Sequence, residues 1–185
     1  MHDETPIPLC VDLDGTLVKL DTLHQAFFLL LRRDPASALK RPGWILTRKA
    51  HHTDQVMRRI ALDATALPYN TRFLDWLKKE RAAGRKLILA TASNYRTANA
   101  VAEHLDLFDE ILASNEETTL RRGNKLEAIQ KRFPKFGYAG NDSADFPIWD
   151  AATEVILVNP SAAAEKGYAV RADHIFIERR PVGRM

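Results

Sequence analysis

Leu9-Cys10-Val11-Asp12-Leu13-Asp14-Gly15-Thr16-Leu17 is the stretch on which the reading of this chain turns. It starts apolar and runs into glycine, the pattern of a buried strand that breaks out into a loop at the first residue able to do so cheaply. Asp12 and Asp14 then stand at the strand's C-terminal end, and the period of two sends both side chains to one side of the backbone. Two carboxylates this close repel unless a cation or a shared proton relieves them. The pair therefore points to a metal site, to acid–base chemistry, or to both. A turn at Asp14-Gly15 with a solvated Asp12 is the plainer alternative, and these nine residues alone leave it open.

Outward from this stretch, short apolar runs alternate with helical patterns. Strands are predicted at Pro8–Leu13, Lys86–Ala90, Glu110–Ala113, Phe136–Ala139 and Glu154–Val158, with His174–Glu178 as an edge. A helix opens at Asn70-Thr71, carries Phe73, Leu74 and Leu77 on one face and stops at Gly84. Another follows Asn94, with Ala98, Val101, Ala102 and Leu105 at helical spacing. A third, from Lys125 to Phe133, aligns Leu126, Ile129 and Phe133, and a last one starts at Pro160-Ser161. Alternation of this kind implies an α/β fold, a parallel sheet with right-handed crossovers and helices on both faces.

One interval breaks the rhythm. Between the first and second strands lie an apolar helix (Leu23, Phe27, Leu30, Leu31), a basic stretch and a weaker helical pattern through Val56 and Ile60. Leu20 to about Pro68 reads as a helical insertion over the sheet's C-terminal edge, where open α/β folds bind ligands. The expected organisation is a core of residues 1–19 and 69–185 with a cap of residues 20–68.

Composition excludes several classes. At 185 residues the chain suits one domain with a small insertion. A lone cysteine, Cys10, rules out an internal disulfide. No basic, then apolar, leader opens the sequence, and the longest apolar run, Ala26 to Leu31, is too short to span a bilayer, so a cytoplasmic protein is expected. Net charge is only +3, yet eight Lys/Arg gather between Arg32 and Arg59, with His51 and His52 among them. Such a stretch is either a solvated helical face or a surface for anionic substrates or lipid headgroups. Little aromatic interleaving and no binding motif argue against nucleic acid. His24, His104 and His174 are scattered without ligand spacing, and Trp44, Trp76 and Trp149 read as packing residues.

The remaining strand ends are polar too. The second runs into Thr91-Ala92-Ser93-Asn94 before a helix, a hydroxyl and free N–H groups suited to a phosphate. Lys125 stands near a helix start, where the dipole disfavours a cation unless an anion is close. The fourth strand runs into Gly140-Asn141-Asp142-Ser143-Ala144-Asp145. Taken singly, these read as a helix cap, a surface lysine and an Asx-rich turn. Together they fall at successive strand ends on one edge.

In order and spacing they resemble the haloacid dehalogenase-like (HAD) hydrolase superfamily from about Pro8 to Val158. DLDGT at Asp12–Thr16 is the specific part, with LILATAS, the isolated lysine and GNDSAD in support. More narrowly, DLDGTLV, LPYN, LATAS and YAGN resemble HAD domains found fused to intramembrane prenyltransferases. The resemblance implies a three-layer, Rossmann-type HAD-like sheet with a small helical cap, and a Mg²⁺-dependent phosphatase acting through an aspartyl-phosphate. It makes Asp12 the nucleophile and Asp14 the general acid/base. Thr91 and Lys125 would hold the phosphoryl oxygens. Magnesium would lie between Asp12, the Asp14 carbonyl, Asn141 and Asp145. Asp14 argues for phosphate esters over halides, since only an alkoxide leaving group needs a proton. Asn141 departs from the family's usual Asp and should weaken metal binding, with Asp142 as a substitute by local shift. The implied substrate is a phosphorylated small molecule or a polyprenyl-phosphate sugar, with membrane-surface or membrane-enzyme contact through the basic cap. A phosphomutase or phosphotransferase with the same intermediate, and a non-catalytic HAD-fold partner of a membrane enzyme, are the alternatives.

Overall fold

All six strands anticipated from the apolar runs form, and they join one parallel sheet. The computed structural model describes residues 6–19, 63–114, 120 and 123–178. The strands are β1 (Leu9–Val11), β2 (Leu87–Asn94), β3 (Glu110–Ser114), β4 (Gly137–Gly140), β5 (Glu154–Val158) and β6 (His174–Phe176). Between them run α1 (Thr71–Ala82), α2 (Tyr95–Leu105), α3 (Gly123–Arg132), α4 (Phe146–Ala151) and α5 (Ala162–Tyr168). The sheet order is β3-β2-β1-β4-β5-β6. The chain therefore winds outward from β1 in one direction and returns to β4 on its other side. The crevice at the C-terminal ends of β1 and β4 is the topological switch point, where such folds take their ligands.

Strand alternation builds two cores, one on each face. Leu9, Val11, Leu87, Leu89 and Ala139 pack with Phe73, Leu77, Ala98 and Val101 of α1 and α2. Cys10, Ile88, Ala90 and Tyr138 pack with Ile129 of α3, Ile148 and Trp149 of α4 and Tyr168 of α5. The face of Cys10 and Tyr138 is thus the one that α3 covers.

Three local departures matter for the site. First, β1 stops at Val11, before the acidic pair, and residues 13–17 form turns closed by Val18 N to Leu13 O (2.9 Å) and Gly15 N to Val18 O (2.8 Å). Asp14 is placed by a tight loop instead of by strand alternation, whereas Asp12 still bonds to β4 through Ala139 O. Second, β2 runs past Ala90 to Asn94, because a bulge between these residues shifts its register on β3 and lets Asn94 pair with Ser114. Third, the short α4 went unanticipated; a Pro in its first turn and six residues leave no periodic stripe to read.

Of the expected cap, residues 20–62, which include the basic stretch between Arg32 and Arg59, lie outside the described residues, and residues 63–68 lie inside them. The chain leaves at Lys19 and is met again by Pro68, with Lys19 N donating to Pro68 O at 2.9 Å. Asn70 ties this neck to the acidic loop. It is fully buried, its backbone N donates to Leu17 O, and its side-chain amide donates to Thr16 O while accepting from Asn159 Nδ2 at 2.8 Å. Its side chain is therefore not available to cap α1. Among the described residues no helix is long and apolar enough to cross a membrane.

Candidate active site

Asp12 extends the β1–β4 ladder by one bond, its N donating to Ala139 O at 3.0 Å. That bond fixes the carboxylate, 8% exposed as a residue, on the face covered by α3. There Lys125, in the first turn of α3 and also buried, donates to Asp12 Oδ1 at 3.0 Å. The same ammonium donates to Tyr138 Oη at 2.7 Å and lies 3.5 Å from Asp145 Oδ1. Tyr138 in turn donates to Asp145 Oδ1 at 2.7 Å. One lysine thus stands between two buried carboxylates, with a phenol bridging it to the second.

The electrostatics follow from this count. Burial pushes the Asp12 carboxyl up to about 7; Lys125 opposes the rise, and the nearby charges of Asp145 and Asp14 add to it. Burial alone would lower Lys125, but Asp12 and Asp145 outweigh it and hold the ammonium above its ordinary value. Tyr138 is raised well above the usual phenol range by burial and by the same two carboxylates, so it stays a hydrogen-bond donor. The cluster carries more negative charge than Lys125 balances, and a further cation would relieve Asp12.

The acidic loop is held over the end of β4. Gly15, at φ +81, lies so close to the Asn141 amide that any side chain there would overlap it. The Thr16 hydroxyl faces Asn141 Oδ1 at 3.4 Å. Asp14 accepts a hydrogen bond from the Ser93 hydroxyl, which the β2 bulge brings to it. In the same bulge the buried Thr91 Oγ1 accepts from Ser93 N at 3.0 Å. A hydroxyl held in that way retains its own proton for a further acceptor.

Asp12, Asp14, Thr91, Lys125, Asn141 and Asp145 all lie along this one edge, joined through Ser93, Tyr138 and the loop contacts. Asp145 stands differently from the other carboxylates. Its Oδ2 accepts from the backbone N of Asn141 (3.0 Å) and of Asp142 (3.2 Å), while Oδ1 takes Tyr138 and faces Lys125. About four acceptor positions are what a carboxylate offers, and these four contacts use them. Asp142 caps a short turn through Ser143 N (2.6 Å) and is exposed, so Asn141 and not Asp142 faces the acidic loop. Among the described residues no group of three or more His, Cys, Asp or Glu is arranged to hold a metal. The oxygen groups that face this crevice are the Asp12 carboxylate, the Asp14 main chain and the Asn141 amide oxygen. That hard set suits magnesium, which takes one or two carboxylates and keeps waters or substrate phosphate for its other positions.

Tyr138 and Ser93 are the two site residues that motif reading passed over as functional groups. A tyrosine inside a fully buried strand must find a partner for its hydroxyl, and that was the available signal for the first. The second, taken singly, reads as part of a helix cap.

Comparison with known proteins agrees with the fold. The sequence profile of the haloacid dehalogenase-like hydrolases matches residues 9–140. The uncharacterized protein y4nM of Sinorhizobium fredii (strain NBRC 101917 / NGR234) is 36% identical over 162 residues, 86% of this chain. The match covers 31% of that protein's length, so this chain spans about a third of its relative. A protein of unknown function from Bordetella pertussis Tohama I superposes with a TM-score of 0.69 at 20% identity, over 92% of this chain and 97% of that one. The cobalt-bound deoxy-D-mannose-octulosonate 8-phosphate phosphatase of Haemophilus influenzae gives 0.53 at 13% identity, over 93% and 78%. At such identities the two structures speak for the fold alone.

Proposed function

Because the chain belongs to the haloacid dehalogenase-like hydrolases, we propose that it is a magnesium-dependent phosphatase that carries the phosphoryl group of a phosphomonoester on Asp12. The observation that carries this reading is a buried Asp12 held 3.0 Å from a buried Lys125, with a second carboxyl two residues on. In the first step the Asp12 carboxylate forms a bond to phosphorus as the ester P–O bond breaks. The departing alkoxide takes its proton from Asp14. In the second, Asp14 accepts a proton from water, whose oxygen bonds to phosphorus while the Asp12–phosphorus bond breaks and phosphate leaves. Lys125 and the Thr91 hydroxyl hold the phosphoryl oxygens through both steps and offset the charge that collects there.

Asp12, the Asp14 carbonyl and Asn141 would hold magnesium, which when bound would neutralise charge between Asp12 and the phosphoryl oxygens. Asp145, its oxygens committed to Tyr138 and to two backbone N–H groups, would support the loop instead of ligating the ion directly. An amide in place of a carboxylate at position 141 lowers affinity, so millimolar magnesium is the expected requirement. Asp14 favours a phosphate ester over a halide, because an alkoxide leaving group needs a proton and a halide does not. Residues 20–68 would form a cap over the crevice, a reading supported by the Lys19–Pro68 neck beside the acidic loop. The substrate is proposed to be a phosphorylated small molecule; a polyprenyl-phosphate sugar, a membrane-surface contact and a neighbouring prenyltransferase rest on the resemblance alone.

The test is phosphate release from p-nitrophenyl phosphate and a panel of sugar phosphates, with magnesium and with chelator, by wild type and Asp12→Asn. Magnesium-dependent release lost in Asp12→Asn supports the proposal. Transfer to a sugar acceptor in place of release would favour a phosphotransferase. No turnover of any ester would favour a binding role.

A further inference from the structure

Tyr138 stands between the two halves of the site, and its placement is costly enough to ask what it does. Its ring is fully buried in β4, between two glycines, and the strand makes room for it. A Cβ on Gly140 would lie 2.5 Å from Asp145 Oδ2 and 2.9 Å from the Tyr138 ring. The hydroxyl accepts from Lys125 at 2.7 Å and donates to Asp145 at 2.7 Å, while Lys125 and Asp145 themselves remain 3.5 Å apart. The Lys125 ammonium also sits 5.4 Å from the centre of the Tyr138 ring.

We propose that Tyr138 is a positioning residue for Lys125, its hydroxyl interposed so that the ammonium points at Asp12 instead of closing onto Asp145. This deepens the phosphatase reading and rests on it. An ammonium has three N–H groups in a tetrahedral fan. Tyr138 takes one and Asp12 another, and the third, which has only the longer 3.5 Å contact to Asp145, is the one an oxygen of the transferring group would draw away. Remove the hydroxyl and Asp145 loses its neutral donor just as Lys125 loses its neutral acceptor. The shortest remedy is a direct Lys125–Asp145 pair, because charge-assisted bonds are the stronger ones and only a few tenths of an ångström separate the groups from bonding distance. Lys125 would then swing off Asp12. Since Lys125 acts mostly on charge that develops in the transition state, the loss should fall on kcat more than on KM.

The experiment compares wild type, Tyr138→Phe, Lys125→Ala and the double variant. Tyr138→Phe keeps the ring, and its folding is verified by circular dichroism. It should lower kcat about 10- to 100-fold with KM changed less than about threefold. The inhibition constant of orthovanadate, which mimics the five-coordinate transition state, should rise in step with the fall in kcat, and that of inorganic phosphate should hardly move. In the Lys125→Ala background Tyr138→Phe should have little further effect on kcat. An equal loss in both backgrounds, or vanadate and phosphate weakening together, would overturn the proposal. The ¹⁵N resonance of the Lys125 ammonium supplies a readout independent of turnover. Tyr138→Phe should shift it, and an unmoved resonance also overturns the proposal. Wild type that releases no phosphate from any ester would instead dispose of the phosphatase reading, leaving the resonance to decide the role of Tyr138.

Discussion

Strand β4 begins at Gly137 and ends at Gly140, and a charged cluster leans on each glycine. A Cβ on Gly137 would lie 2.8 Å from Arg85 Nη2, and one on Gly140 would lie 2.5 Å from Asp145 Oδ2. Both clusters set one buried cation among carboxylates, yet they are built to different ends. At the N-terminal edge Arg85 donates to Ile7 O (2.9 Å), to Glu80 (2.9 Å) and to Glu154. Its guanidinium is held above the ordinary value, burial being outweighed by the two glutamates. The Glu80 and Glu154 side chains keep 28% and 18% of their exposure, so water shares their charge. At the C-terminal edge Asp12, Lys125 and Asp145 keep 11%, 7% and 3%. Water does little there, and the surplus negative charge falls on Asp12. Satisfied charge ties strands together. Unsatisfied charge waits for a ligand.

The largest expected effect belongs to the unsatisfied end. Asp12→Asn should lower phosphate release by more than about 10³-fold, as loss of a nucleophile does. Lys125→Ala should follow, at about 10²–10³-fold in kcat. A comparable loss in an Arg85 variant would break the contrast between the two edges. Arg85→Met should instead cost about 3 kcal/mol by stranding two glutamates, a fall of about 10 °C in Tm, with kcat per folded molecule unchanged. Scanning calorimetry alongside the kinetic assay checks both halves of that statement.

The pH dependence of stability sharpens the contrast further. Asp12 rises from 3.8 to about 7 on folding, so the native chain binds more protons than the unfolded one across that window. Stability is therefore greatest below it and falls as pH rises through about 7, by at most about 4 kcal/mol for this group. Without divalent metal, Asp12→Asn should raise Tm by several degrees at pH 8, and the gain should vanish toward pH 4. Magnesium should raise Tm in wild type and not in the variant. A variant no more stable than wild type at pH 8 would mean that Lys125 already balances Asp12. The smallest effect is expected for Ser93→Ala, which removes one donor from Asp14 and should lower kcat no more than about tenfold.

Much of this was legible in the sequence, for identifiable reasons. Apolar runs such as Leu87–Ala90 and Glu154–Val158 announce strands because strands buried on both faces have no polar side to show. The acidic pair stands out because charge is rare inside such runs, and Lys125, among other charges, stands out only by its place near a helix start. Less legible were features that depend on contact. The bulge that carries Thr91 and Ser93 toward the acidic loop depends on pairing with β3, which no local pattern reveals. Asn141, with Asp142 as its substitute, could be ranked from the letters, but that the Asp142 carboxylate accepts from Ser143 N and is turned to a cap could not. Tyr138 reads as core packing until its hydroxyl is seen between Lys125 and Asp145.

The most direct test of the central claim is chemical trapping of the phosphoryl group. Protein turning over an aryl phosphate with magnesium is quenched, reduced with borohydride and mapped by peptide mass spectrometry. Conversion of the Asp12 side chain to its alcohol, dependent on substrate and confined to that residue, is the expected result. Sustained phosphate release with Asp12 unmodified, or with the modification on another residue, would contradict it.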